Sequence, residues 1–289
     1  MHSVRDKRQM QALIAQALKE DIDKGDITTD WIISPKATAK AYFITREEGV
    51  IAGLEAAHLS FLQVDPSLQF EASVTDGDRV IAGQSFAIVE GAARAILTGE
   101  RTALNFIRHL SGIATMTNRY VQAIKGTSAV ITDTRKTTPG FRVLEKAAVK
   151  SGGGVNHRFG LYDMVLIKDN HIAAAGGITP AVNRCREQMA NAERTIKIEV
   201  EAAILNQVKE AANLEIDQIM LDNMSDAQMQ EAVAYIRHHT ADKKRPLLEA
   251  SGTITLDRVR SVAETGVDLI SIGTLTHSSP CLDISLNIE

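Results

Sequence analysis

A-V-I-T-D-T-R-K, residues 129–136, and M-V-L-I-K-D-N-H, residues 164–171, share one pattern: a short apolar run leads directly into charged and hydrogen-bonding residues. Four later runs repeat it. I-K-I-E-V (196–200) runs into E-V-E (Glu199–Glu201), I-M-L (219–221) into Asp222-Asn223, P-L-L (246–248) into A-S-G (Ala250–Gly252), and L-I-S-I (269–272) into Gly273–Leu275. Short apolar runs bounded by turn signals read as buried strands. Between them, helical spacing predicts helices over Val143–Lys150, Pro180–Met189, Ile204–Ala212, Asp226–His238 and Leu256–Ala263. Strand and helix alternate, as in a parallel α/β fold. In a parallel barrel the C-terminal strand ends converge on one mouth, so the charged residues there read as a single site. Residues 129–275 are too few for a full eightfold barrel of roughly 250 residues, which predicts an incomplete barrel of six or seven strands. A doubly wound open sheet is the alternative.

Upstream the pattern changes. Met10, Leu13, Ile14, Ala17 and Leu18 form one apolar stripe over Gln9–Glu20, predicting a helix. From Ala39 the period falls to two, and Leu68–Val74 and Val80–Val89 also read as short strands of an antiparallel sheet. T-D-G-D-R-V-I-A-G-Q (75–84) resembles the turn of biotinyl and lipoyl carriers, but the hairpin has no lysine, and Asp-Gly turn chemistry explains it. After Gly91, Ala95, Leu97, Leu104, Ile107, Leu110, Ala114, Val121 and Ile124 mark one or two helices, with a break predicted at Ser111-Gly112. Arg101 and Arg108 fall two turns apart beside that stripe.

Composition narrows the class. With 44% hydrophobic and 24% charged residues the 289-residue chain is an ordinary globular protein, and its net charge of -4 argues against a nucleic-acid partner. Cys185 and Cys281 are too few and too far apart for a disulfide framework, which points to a reducing cytoplasm. The N-terminal M-H-S-V-R-D-K-R-Q-M has no apolar core, and no run approaches the eighteen or so apolar residues of a membrane span.

Against that mild acidity, residues 132–171 gather Arg135, Lys136, Arg142, His157, Arg158 and Lys168 among glycines and a proline. Cations on turns read as an anion pocket. Each alone is commonplace: a solvated arginine, a core histidine, a capping carboxylate such as Glu201 or Asp222, a capping Ser225. Their recurrence at strand ends makes them a set. Glu201 and Asp222 end consecutive strands and suit Mg²⁺, while no His/Cys cluster favours zinc. Ser251-Gly252 and Ile272-Gly273 occupy the position where barrels bind phosphate.

G-D-I-T-T (25–29), G-E-R-T-A-L-N (99–105), T-R-K-T-T-P-G-F-R (134–142), G-G-G-V-N-H-R-F-G-L-Y-D (152–163), I-K-D-N-H, E-V-E, L-D-N, E-A-S-G and I-S-I-G-T-L-T-H together resemble the quinolinate phosphoribosyltransferases. The resemblance runs from residue 25 to the C-terminus. It implies an N-terminal α/β sandwich over 1–112, joined by the tail 276–289, and an incomplete α/β barrel over 113–275. It implies transfer of phosphoribose from phosphoribosyl pyrophosphate to quinolinate with decarboxylation, in homodimers or dimer-built hexamers. Arg101 would reach quinolinate across the subunit interface, joining Arg135, His157, Arg158 and Lys168 around its carboxylates. Lys136 would bridge the two substrates. Glu201 and Asp222 would lie at the ribose and Mg²⁺, and Thr134, Ser251, Gly252, Thr253, Ile272, Gly273 and Thr274 at the phosphates. Lys136, Lys168, Glu201 and Asp222 are the catalytic candidates, and Arg142 stands outside the set. One departure is Thr253, where the family often has glycine; a positive φ would be strained there. A same-fold transferase for nicotinate or another aromatic acid needs fewer cations, and a non-catalytic phosphometabolite sensor needs no Glu201–Asp222 pair.

Overall fold

The computed structural model of the chain describes residues 4–240 and 245–289; the first three residues of the polar N-terminal stretch lie outside them. By contacts the chain separates into two compact units. One comprises Met1–Asn118, Thr137–Gly153 and Thr274–Glu289, the other Arg119–Lys136 and Gly154–Gly273.

The first helix, α1 (Val4–Ile22), buries Met10, Ile14 and Leu18, four residues apart and on the face the apolar stripe predicts. Helix α2 (Ile27–Ile32) begins in the G-D-I-T-T stretch, where Asp26 accepts a hydrogen bond from Thr29 N at 3.0 Å. There follow β1 (Thr38–Thr45), β2 (Gly49–Val50), α3 (Leu54–Val64), β3 (Gln69–Ala72), β4 (Arg79–Val80), β5 (Ser85–Ala92) and α4 (Ala93–Ala123). Strand β1 buries Ala41, Phe43 and Thr45 on one face, the alternation of a half-buried antiparallel strand. Helix α4 runs unbroken through Ser111-Gly112, where the sequence predicts a break. Gly112 serves a close approach instead: a Cβ there would lie 2.0 Å from the Pro280 carbonyl oxygen. Ser111 Oγ accepts from Ala52 N at 3.0 Å and donates to Ala52 O at 3.2 Å. A Ser-Gly pair punctuates a helix only when packing does not need its small side chains.

The remaining elements are β6 (Val130–Thr132), α5 (Arg142–Ser151), β7 (Val165–Ile167), α6 (Asp169–Ala175), α7 (Ile178–Asn191), β8 (Ile198–Ala202), α8 (Leu205–Ala212), β9 (Gln218–Asp222), α9 (Asp226–His239), β10 (Leu247–Ser251), α10 (Val259–Glu264), β11 (Leu269–Ser271), α11 (Thr274–His277) and β12 (Ile284–Ile288). Of these, α5, α11 and β12 belong to the first unit. Strand β12 pairs antiparallel with β1, Ala41 facing Ile288, and completes a sheet of order β12-β1-β5-β3. Leu282, Ile284 and Leu286 thereby join Phe43, Phe61 and Phe86 in one core, where Phe43 meets Phe61 edge-on at 6.1 Å.

All six apolar runs of the second unit are parallel strands, in the order β6-β11-β10-β9-β8-β7. Their helices obey sequence signals: Ser225 caps α9, which buries Met229, Ala232, Val233 and Ile236 at helical spacing. Among the described residues β6 and β7 do not pair, so the parallel sheet has an open seam, as an incomplete barrel does. Among the described residues no helix is long and apolar enough to cross a membrane.

Candidate active site

Strand order fixes the order of the strand-end residues around the mouth. From β6 it runs Thr134-Arg135-Lys136, then Gly273 after β11, Ser251-Gly252 at β10, Asp222 at β9, Glu201 in β8 and Lys168 after β7. Ser251 lies opposite Asp222 in the register, and Glu201 opposite Met220. Small and hydroxyl residues therefore group together, the two carboxylates stand on adjacent strands, and the cations flank the seam.

The N-H-R segment lies along that seam. Val155 bridges Thr132 at the β6 edge, and Asp133 accepts hydrogen bonds from Asn156 Nδ2 at 2.5 Å and His157 N at 2.9 Å. Arg158 Nη1 donates to Met164 O at 3.0 Å, just before β7. Burial pushes the Arg158 guanidinium pKa down and the neighbouring Arg135 charge adds to the effect, while Glu199 opposes it. Two guanidiniums that repel each other in a half-buried place are stabilised by an anion between them, and planar forks suit carboxylates.

At the ends of the neighbouring strands β7 and β8, Lys168 Nζ lies 3.6 Å from Glu201 Oε2. Burial raises the Glu201 pKa; Lys168 counters it, and the charges of Asp222 and Asp169 push it further up. A divalent cation would relieve that repulsion, so Glu201 and Asp222 fit Mg²⁺ by oxygen chemistry and charge. Asp222 Oδ2 accepts from Asn223 Nδ2 at 2.8 Å. Asn223 sits at φ 55 and Gly252 at φ 125, but Thr253 is not in the left-handed region, so the strain expected of a threonine there does not arise. Lys136 is exposed, its N–H donating to Thr134 Oγ1 at 3.0 Å. His171 Nδ1 accepts from Lys168 N at 3.0 Å and so ties down the start of α6.

Three cationic or loop positions belong to the first unit. Arg101 stands exposed on α4, Thr274 opens α11, and Arg142 opens α5 with its Nε donating to Thr137 Oγ1 at 3.0 Å. A cavity of about 620 Å³ in the same unit, lined by Phe106, His109 and Phe141 among others, includes none of the charged strand-end residues. Charge arrangement rather than cavity size therefore locates the site.

Sequence reading missed a polar layer on the same sheet. Glu199, Glu249 and Asp133 are fully buried, with Gln218 and Ser271 nearly so. Gln218 Nε2 donates to Glu199 Oε1 at 2.9 Å and to Glu249 Oε2, and Ser271 Oγ donates to Glu249 Oε1. His157 Nε2 lies 3.1 Å from Glu199 Oε2 and 3.2 Å from Glu249 Oε2, its side chain 8% exposed. Burial opposes charge on His157, but hydrogen bonds and charge from the two carboxylates raise its pKa to about 10. Burial and then Glu249 raise Glu199 to about 7, with His157 pulling it back. The direction that holds for the cluster is a protonated His157, since two acceptors face one ring nitrogen. The missed signal was the period of two: Glu199 precedes Glu201, Gln218 precedes Asp222 and Glu249 precedes Ser251 by even steps, which puts each pair on one strand face.

The chain is similar to known proteins over most of its length. The family described as "Quinolinate phosphoribosyl transferase, N-terminal domain" matches residues 26–111, and its C-terminal domain matches residues 113–287. A "Probable nicotinate-nucleotide pyrophosphorylase [carboxylating]" of Synechocystis sp. is 45% identical, over 95% of this chain and 91% of that one. The chloroplastic "Nicotinate-nucleotide pyrophosphorylase [carboxylating]" of Oryza sativa subsp. japonica is 43% identical, over 97% of this chain and 78% of its relative. The structure of the nicotinate-nucleotide pyrophosphorylase from Francisella tularensis superposes with a TM-score of 0.91 at 39% identity, covering 98% of this chain and 96% of the other. With both domain descriptions matched one after the other over residues 26–287, the chain belongs to the quinolinate phosphoribosyltransferase family.

Proposed function

We propose that the chain transfers phosphoribose from phosphoribosyl pyrophosphate to the ring nitrogen of quinolinate and releases CO₂, giving nicotinate mononucleotide and pyrophosphate for NAD biosynthesis. One observation carries the reading: Arg158 has the charge of Arg135 as its neighbour, and adjacent strands of the same parallel sheet, β8 and β9, carry Glu201 and Asp222. A small dicarboxylate fits the first and a polyhydroxylated, metal-bound phosphate ester the second.

Arg135, His157, Arg158 and Lys168 hold the quinolinate carboxylates, with Arg101 of the partner subunit completing the clamp in a homodimer or dimer-built hexamer. The apolar residues Ile27, Trp31 and Ile32, exposed at 62%, 82% and 73% on α2, suit a subunit contact. Thr134, Lys136, Ser251, Gly252, Thr253, Ile272, Gly273 and Thr274 hold the phosphoribosyl pyrophosphate. Glu201 and Asp222 would hold Mg²⁺, which when bound neutralises charge on the departing pyrophosphate. The pyridine nitrogen bonds to ribose C1 as the C1–O bond to pyrophosphate breaks. No general base is needed, so orientation and electrostatics supply the acceleration. The quaternised ring then draws in the electron pair of the breaking C–CO₂⁻ bond, and the ring carbon takes a proton from Lys136 or Lys168. The free thiols of Cys185 and Cys281 are consistent with a reducing cytoplasm.

The test mixes pure protein with quinolinate, phosphoribosyl pyrophosphate and Mg²⁺ and follows CO₂ and pyrophosphate together. They should appear one for one. Pyrophosphate without CO₂, or turnover of nicotinate alone, would remove the assignment.

A further inference from the structure

We propose that Glu199 and Glu249 are positioning residues of the dicarboxylate pocket: from beneath it they fix the His157 ring and, through it, the segment that carries Arg158. The proposal rests on the quinolinate reading above.

Glu199 on β8 and Glu249 on β10 are separated by β9, and both are fully buried. One oxygen of each comes within 3.1 and 3.2 Å of the same atom, His157 Nε2. Their other contacts hold them still: Gln218 Nε2 reaches both, and Ser271 Oγ reaches Glu249. Four consecutive strands thus supply one rigid seat. On their other face these strands are apolar, as at Val200, Ile219, Leu221, Leu248 and Ile270, all fully buried. Two desolvated carboxylates in such a sheet are a weak source of stability, because apolar side chains of similar volume serve at least as well. Their placement is accounted for by what they hold.

Ring orientation is the part of His157 that needs fixing. Its backbone N–H is already bound to Asp133, and the next residue, Arg158, is tied to Met164 O. With Nε2 held 3.1 and 3.2 Å from the two carboxylates the ring is an imidazolium, so both its nitrogens are donors and no tautomer lacks one. Two carboxylates against one imidazolium add no net positive charge, so the layer acts by aiming donors rather than by attracting anions. This separates it from Arg135, Arg158 and Lys168.

The experiment compares wild type, Glu249→Gln and the milder Ser271→Ala as full-length protein. Steady-state kinetics in both substrates are combined with ¹⁵N NMR of histidine-labelled enzyme. The expected result for Glu249→Gln is a KM for quinolinate raised about tenfold, that for phosphoribosyl pyrophosphate within about twofold, and altered His157 ring-nitrogen shifts. Ser271→Ala should raise the quinolinate KM by about threefold with the same selectivity. An unchanged quinolinate KM in both variants, or both KM values rising in parallel with a lowered melting temperature, would overturn the proposal. So would a divalent ion retained stoichiometrically by the purified protein and lost with Glu249→Gln. If wild type yields no CO₂ from quinolinate, the functional reading fails separately. The ring-nitrogen shifts then still decide, and unaltered shifts in Glu249→Gln would end the proposal.

Discussion

Gly252→Ala tests whether the proposed phosphate-binding loop depends on a close contact between two strand ends. Gly252 has φ 125, and a Cβ there would lie 2.4 Å from Asn223 Oδ1 and 3.1 Å from Asn223 Cα and Cγ. Asn223 is itself at φ 55, its N–H bonded to Ser251 O at 2.9 Å and its Nδ2 to Asp222. The new methyl group must therefore displace a residue already held on both sides. Positive φ alone costs an alanine about 1–2 kcal/mol. Overpacking adds about 1–3 kcal/mol. Gly126→Ala is the control, since Gly126 has φ 87 in the same unit and nothing within 4 Å of a Cβ. For a domain of this size the sums correspond to a melting temperature lowered by roughly 5–15 °C for Gly252→Ala against about 2–6 °C for the control. Because Asn223 steadies Asp222, kcat/KM for phosphoribosyl pyrophosphate should also fall, by about tenfold or more, in Gly252→Ala only. Calorimetric melting and steady-state kinetics on both variants decide it. Equal melting losses with unchanged kinetics would refute the argument.

Other outcomes follow from the same geometry. Thr253→Gly should leave stability within about 1 kcal/mol of wild type, because Thr253 carries no left-handed strain to relieve; a larger gain on thermal unfolding would contradict this. Asp268 accepts from Arg245 Nη1 and Nη2 at 2.7 and 2.8 Å and from Leu248 N at 2.8 Å, and against the effect of burial these bonds hold its pKa low. A lowered carboxylate stabilises the fold above its unfolded pKa of about 3.9 and ceases to do so as pH falls through the folded value. Asp268→Asn should thus cost about 1–3 kcal/mol at pH 7 in urea titrations, with the difference closing below about pH 4; a difference independent of pH would count against the ion pair. Mixing inactive Arg101→Ala and Lys136→Ala chains should restore part of the activity through hybrid subunits, and no recovery despite confirmed hybrids would exclude a shared site.

The parallel strands were readable in the sequence because each is a short apolar run that ends in polar residues, a signal independent of long-range contacts. The ends Arg135, Lys168, Glu201 and Asp222 were readable for the same reason. Ser111-Gly112 misled, since what Gly112 avoids is Pro280, a neighbour far along the chain that local pattern cannot reveal. Glu199 and Glu249 were hidden differently. Each lies inside its strand, before the polar end, and only the meeting of Glu199, Gln218 and Glu249 around His157 in space turns separate polar residues into a seat. Thr253 could not be judged from its letter, because strain depends on φ.

Strand β12 sets an order of events during synthesis. The first sheet pairs β1 with β12, and Leu282, Ile284 and Leu286 fill the core beside Phe43. While a ribosome is still making the chain, the edge of β1 that β12 will cover has no partner and its core lacks three aliphatic side chains. An open strand edge beside exposed apolar surface is the usual template for association with other chains. The N-terminal sheet must therefore wait, in reach of chaperones, for a strand translated after the whole parallel sheet.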